Sequence, residues 1–271
     1  MVWSKTWHTT LLAEVGEARN TEGPLPWVER DYTPISTAHD WEQGRCDILI
    51  KVYLDPAGLA TEWLHRVSTS ALATDVTDGN AGAGAAATVW LSRPMKTMHV
   101  PSLSSDEKYI NRKHASILLL VAGTGVVVVP QVLHHANAAT CFGPRPPVTH
   151  PVSVIYSCRT DDALLVPELA QMCREGALAR CTVLLTASQS AKVPFPDVAD
   201  VDVASAFAEV DNAACMDARL NAETLRAQLS LLERPVRVVV SGPEGFNGAC
   251  KSMLKEIDPT LGAEAVTILS A

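Results

Sequence analysis

The sequence predicts two regions of different architecture: a strand-rich first region, then a region in which helices cover a parallel β-sheet. Three observations predict it. The chain has 271 residues, enough for one large or two modest domains. All six tryptophans lie before residue 91, and the remainder is rich in Ala, Val and Leu. From residue 115 onward, apolar β-branched runs alternate with helical patterns, as in a parallel sheet buried on both faces.

In the first region, period-two stretches bounded by turn residues predict strands at Thr9–Val15, Arg30–Ser36, Asp47–Leu54 and Thr88–Ser92. Thr61–Val67 reads as a short helix with Thr61 as its N-cap. Ser68–Ala87, dominated by Ala, Gly, Thr and Asp, can bury little and reads as a mobile surface loop. The polar Pro101–Lys113 stretch reads as the linker. The expected organisation is a first domain over 1–104, a linker over 105–114 and a second domain over 115–271.

In the second region, strands are predicted at Ser116–Ala122, Val152–Ser157, Cys181–Thr186, Val236–Val240 and Ala265–Leu269. Helices are predicted at Val128–Ala138, Asp161–Gly176, Ala204–Val210, Asn221–Leu232 and Pro243–Ile257. Ligands of such sheets bind beyond the carboxyl ends of the strands, where the chain order reverses. Sites are therefore expected just after residues 122, 157, 186 and 240.

Hydrophobic residues make up 47% of the chain and charged residues 19%, which excludes wholesale disorder. A net charge of −8 argues against a bulk electrostatic grip on nucleic acid or anionic lipid. No apolar run reaches the roughly 18–20 residues of a membrane span, and Met1–Thr10 lacks a signal-peptide profile. Seven scattered cysteines without a C-x-x-C pair fit reduced thiols, and a cytoplasmic location is expected, or a mitochondrial one if the N-terminus is truncated. His134 and His135 would diverge by about 100° on a helix, so no metal site is expected.

Four local patterns carry chemistry. Gly123-Thr124-Gly125, between a strand and an apolar helix, suits a tight turn near a phosphate, or a plain structural turn. Ser241-Gly242-Pro243-Glu244 follows the fourth strand of the second region; it reads as a capping box, with Ser241 as N-cap, at the ligand-binding edge. In the strand Arg30–Ser36, Arg30, Tyr32 and Pro34 share one face, and Asp31, Thr33 and Ile35 the other. A guanidinium beside an aromatic ring suits a phosphate joined to a flat heterocycle; a surface arginine and a half-buried tyrosine are the plainer reading. Gly58-Leu59-Ala60-Thr61 opens a short helix, as a second phosphate cradle or a simple capped turn.

Taken in order, these patterns resemble the ferredoxin–NADP reductase superfamily, nearest to its NADH–cytochrome b5 reductase branch. The flavin motif R-x-Y-[ST] followed by P-x-S is matched by Arg30 to Ser36, K-V-Y by Lys51-Val52-Tyr53, and G-x-x-[ST] by Gly58 to Thr61. Gly123 to Gly125 match the G-T-G turn, and Tyr156 to Asp162 the later strand-turn-acid pattern. Ser241-Gly242-Pro243 match the final C-G-P turn. The resemblance implies an antiparallel FAD-binding β-barrel followed by an α/β parallel-sheet NAD(P)H-binding domain. It implies that Arg30 and the amides of Gly58, Ala60 and Thr61 hold the FAD diphosphate, and that Tyr32 packs on the flavin and ribityl. Asp31 falls within the same motif. Thr33 would sit near flavin N5, with Leu49, Lys51 and Tyr53 along the FAD. Gly123, Thr124, Gly125, Gly242 and Pro243 would shape the nicotinamide cleft, with Ser241 facing the ring; Thr33 and Ser241 are the expected catalytic residues. The implied activity is hydride transfer from NADH or NADPH to FAD, then single-electron transfer to a haem protein or other acceptor. A relative that keeps the fold as a binding or scaffold protein, without turnover, is the alternative.

The chain departs from the family pattern in four places. Only 29 residues precede Arg30, which leaves the first barrel strand missing or supplied by a longer chain. Asp31 replaces a common proline and repels phosphate if it shares the face of Arg30. The G-T-G-x-x-P spacing is stretched, because Pro130 follows Val126–Val129, and a small polar residue there has become valine. Ser241 replaces a cysteine. Arg159 could reach a 2′-phosphate, or pair with Asp161 or Asp162 instead. Thr186-Ala187-Ser188-Gln189 lacks the S-R pair of NADP-using relatives, so NADH is expected.

Overall fold

The computed structural model describes residues 5–14, 27–51, 60–65, 67, 89–99, 103, 105–109, 113–136, 150–186 and 202–270. Two sheets organise them. In the first lobe, β1 (Lys5–Glu14) is the central strand of an antiparallel sheet. Its second half pairs with β2 (Trp27–Tyr32), in a register that sets Thr9 opposite Tyr32. On the other side it pairs with β3 (Val89–Leu91), and its first half with β4 (Met95–His99), with a register shift between Thr6 and Trp7. Leu11, Ala13 and Val28 point to one face and close a small core with Ala60 and Trp63 from the helical run α2 (60–65).

Several first-region expectations shift. β1 begins at Lys5, not Thr9, and β4 was not expected. β2 stops at Tyr32, short of Ser36, because Pro34 has no N–H for the ladder. Residues 47–51 join no sheet; Asp47 is tied by its carbonyl to Ile35 N–H (2.9 Å) and by its N–H to Ser36 Oγ (2.9 Å). An unexpected helix α1 (Ala38–Glu42) starts from a reciprocal cap between Thr37 and Asp40. The predicted loop Ser68–Ala87 lies outside the described residues.

The second lobe holds β5 (Ser116–Ala122), β6 (Val152–Arg159), β7 (Arg180–Thr186), β8 (Ala213–Asp217), β9 (Val236–Gly242) and β10 (Val266–Ser270). All neighbours are parallel, in the order β10-β9-β5-β6-β7-β8. β5 is buried throughout. Ile117, Leu119 and Val121 face one core with α3 (Val128–Ala136), α4 (Val166–Arg174) and α5 (Val203–Phe207). Leu118 and Leu120 face the other, with α6 (Ala222–Ser230) and α7 (Glu244–Ile257). This is the doubly covered sheet that the apolar runs predict. The chain order reverses between β5 and β9, so the crevice of interest lies at their carboxyl ends.

Two differences in this lobe have local causes. α4 starts at Val166 rather than Asp161, because its N-cap Leu165 takes a left-handed φ of 56° and Pro167, without an N–H to donate one turn back, is tolerated only in the first turn of a helix. β8 is a half-exposed edge strand of sequence AACMD, too poor in β-branched residues to be read as one. Leu103, inside the expected linker, is buried, and its carbonyl accepts from Arg237 Nη2 (2.8 Å) and Thr267 Oγ1 (2.9 Å). Among the described residues, no helix is long and apolar enough to cross a membrane.

At the amino end of β5, His114 is buried against His150, with ring centroids 4.7 Å apart, and its Nε2 has no partner. Burial, then the nearby His150 and Arg237 charges, push its pKa down to about 4. The folded protein therefore holds a neutral ring where the unfolded chain, with an ordinary value near 6.5, binds a proton. Stability should be complete above about pH 6.5 and decline as pH falls toward 4. Urea midpoints at pH 7 and pH 5 check this, and His114→Leu should flatten the difference.

Candidate functional site

After β5 the chain turns sharply at Gly123, whose φ is +52°, and runs through a 3-10 turn (Gly123–Val127) into α3. A Cβ built on Gly125 would lie 2.1 Å from the carbonyl oxygen of Ser241, 2.5 Å from its carbon and 2.9 Å from the nitrogen of Gly242. Those neighbours are backbone and cannot rotate away, so only glycine lets this turn rest on the end of β9. Gly242 is confined by side chains instead: its Cβ would meet Phe246 Cδ1 at 2.9 Å and Ala122 Cβ at 3.0 Å. The two strand ends at the switch point thus meet through main chain, with Val126 and Val127 buried behind them.

The predicted capping box after β9 does not form. β9 continues through Gly242, Pro243 is the N-cap of α7, and no side chain caps the helix. Ser241 is a ladder residue between Val121 and Leu269, only 7% exposed, because two neighbouring strands extend as far as it does. Asn247, which the sequence reading missed, secures the turn: its Nδ2 donates to Gly242 O (2.8 Å) and Leu269 O (2.9 Å). Its position one helical turn past Pro243 was the available signal.

In the first lobe, Arg30 and Tyr32 share the face of Val28, and Arg30 is exposed. Arg30 Nη1 donates to Glu29 O (2.7 Å), and among the described residues its guanidinium pairs with no carboxylate. Burial raises the Tyr32 phenol above its ordinary value, and the Arg30 charge beside it partly offsets this. Tyr32 packs on the cluster that includes Ala60, so the start of α2, with Thr61, adjoins this face. Asp31 turns to the opposite face, where it accepts from Thr10 Oγ1 (2.7 Å), so it does not oppose an anion at Arg30. Thr33 is half-buried just past the end of β2. Leu49 is half-buried in the extended segment that belongs to no sheet, and Tyr53 and Gly58 lie outside the described residues.

A group of charges joins the lobes after β6. Lys51 Nζ donates to the Asp162 carboxylate, which also lies 3.6 Å from Arg159 Nη2. Arg159 Nε lies 3.3 Å from Asp161. The Asp162 side chain is only 14% exposed, so its charge is matched within the protein more than by water. The turn is held from below by Tyr156, whose hydroxyl oxygen accepts from Leu164 N–H (2.9 Å). Lys51 and Arg159, two of the three basic residues expected to reach cofactors, are therefore engaged by carboxylates.

No protein-family model matches the chain, and no curated protein matches it. Solved structures do. The cytochrome b5 reductase domain of Ulva prolifera nitrate reductase is 18% identical, with a TM-score of 0.60 over 98% of this chain and 85% of that one. Flavohemoglobin from Malassezia yamatoensis, with bound FAD and heme, is 17% identical, with a TM-score of 0.57 over 98% of this chain and 51% of that one. Ferredoxin-NADP+ reductase from Plasmodium falciparum is 12% identical, with a TM-score of 0.51 over 98% and 83%. The chain thus shares the two-lobe fold of these solved structures.

The glycine contact is directly testable. Gly125→Ala should cost about 2–3 kcal/mol through forced overpacking against backbone. Gly245→Ala, at a helical position with nothing within 4 Å of the new methyl, should instead stabilise by roughly 0.5–1 kcal/mol. Denaturant titration of the two variants reads both.

Proposed function

We propose that the protein is an FAD-dependent oxidoreductase that takes a hydride from NADH and passes single electrons to a haem protein or another one-electron acceptor. The observation that carries this reading is the main-chain floor at the switch point, where Gly125 rests on Ser241 and side chains are excluded by sterics. The residues of the first lobe fit a flavin dinucleotide: Arg30 offers an exposed guanidinium without a carboxylate partner among the described residues, beside a half-buried aromatic ring. FAD, when bound, supplies acceptance of two electrons together and their release one at a time.

The chain's own residues bind and orient. Arg30 holds the diphosphate by charge-assisted hydrogen bonds, and Tyr32 packs on the ring system. Thr33 presents a small hydroxyl beside the flavin. On the other lobe, the floor of Gly123, Thr124, Gly125, Gly242 and Pro243 lets a nicotinamide lie against backbone, with the Ser241 hydroxyl as a small polar contact. Buried Val126 and Val127 keep water from reaching it from behind. The solved structures of reductases with this fold support the general reading as a flavoprotein reductase.

NADH is favoured over NADPH because Arg159 is matched by Asp161 and Asp162. A 2′-phosphate placed there would compete with two carboxylates for one guanidinium, whereas a ribose hydroxyl has no such conflict.

Purified protein is expected to be yellow, absorbing at about 450 nm, and to lose that colour with NADH under anaerobic conditions. Colourless protein that neither binds added FAD nor oxidises NADH would favour a scaffold role instead. Arg30→Ala should weaken FAD binding roughly ten- to hundredfold, read by titrating apoprotein. Asp161→Asn should raise kcat/KM for NADPH relative to NADH several-fold; an unchanged ratio would remove Arg159 from nucleotide choice.

A further inference from the structure

Gln131 lies on α3, six residues beyond Gly125, and is only 2% exposed. Its side chain reaches out of its own lobe. Oε1 accepts from Trp7 N–H (2.9 Å), and Nε2 donates both to Trp7 O (2.9 Å) and to Pro34 O (2.9 Å). Both amide hydrogens and the amide oxygen are thus satisfied by first-lobe main chain. A buried glutamine keeps such an arrangement because each polar atom left unpaired there would be costly.

The sequence explains why a side chain is needed. The β1–β2 register pairs Thr9 with Tyr32 and, continued two residues further, sets Trp7 opposite Pro34. Proline has no N–H, so it cannot complete a ladder pair with the Trp7 carbonyl. The Gln131 amide fills that place, bonding both backbone groups of Trp7 and the carbonyl of Pro34. Trp7 is itself fixed, being buried and edge-on to Trp41 at 5.6 Å.

One end of this link is the residue after Thr33, and the other is the helix that grows from the Gly125 floor. We propose that Gln131 is a positioning residue that holds the flavin-side Thr33–Pro34 turn in register with the nicotinamide-side floor. The proposal rests on the flavoprotein reading above. It assigns Gln131 no contact with either cofactor; it acts through the backbone of Pro34.

The test uses the whole chain and two variants. Gln131→Met keeps the length and removes all three hydrogen bonds. Gln131→Glu keeps an acceptor for Trp7 N–H but turns carboxylate oxygen toward two carbonyls. Amide hydrogen exchange, which needs no cofactor, should show the Trp7 amide exchanging about tenfold faster or more in Gln131→Met. Rapid anaerobic mixing with NADH should show the limiting rate of flavin reduction falling by between about 10- and 100-fold in both variants, with FAD and NADH affinities within about twofold of wild type. A limiting rate close to wild type in a folded variant whose Trp7 amide has come free would overturn the proposal and leave Gln131 a structural tie. Unchanged exchange at Trp7 would overturn it as well. If Gln131→Met does not fold, the same rate and affinities in Gln131→Glu decide. Failure of the flavoprotein reading looks different, because wild-type protein would then neither bind FAD nor be bleached by NADH before any variant is compared.

Discussion

The contact between Gly125 and the Ser241 carbonyl is the constraint from which the rest of the site follows. The order of strand succession reverses between the parallel neighbours β5 and β9, and ligands of open α/β sheets bind at such reversals. Here the turns after the two strands meet through main chain, because the atoms that would surround a side chain at position 125 are a carbonyl and an amide nitrogen. Asn247 holds Gly242 from the other side, so the floor is fixed by hydrogen bonds as well as by sterics. A flat, rigid surface that offers backbone groups suits a planar ring better than a pocket lined by rotatable side chains.

The two lobes are joined by polar links of different kinds. Lys51 and Asp162 form an ion pair between residues 111 positions apart, and Arg159 shares the same carboxylate. Gln131 makes uncharged hydrogen bonds to Trp7 and Pro34 in a site from which water is nearly excluded. Salt screens an ion pair at partly exposed groups, but it has little effect on a buried amide satisfied at every polar atom. The first link sets charge near the proposed nucleotide cleft, and the second sets distance.

Where local rules and tertiary context agreed, the sequence was legible. The apolar runs of β5, β6, β7 and β9 stand out because both of their faces are buried, and the polar residues inside them, Ser153, Thr182 and Arg237, are buried as well. The same reasoning missed β8, whose edge position asks for no such run, and β4, which among the described residues pairs only with β1. It overextended β2 by treating Pro34 as a strand residue, and it placed a cap at Ser241, where the strand has not yet ended.

The sequence by itself determined the α/β alternation of the second lobe, the reversal-prone glycine turns and the shared face of Arg30 and Tyr32. Each of these depends on periodicity or on the conformational range of one residue, which are properties of neighbours in the chain. Only the tertiary structure decided that Lys51 answers to Asp162, that Asn247 secures Gly242 and that Gln131 completes a ladder position proline cannot. Those pairings depend on which distant groups are left without a partner once the strands have met, and no local pattern carries that information.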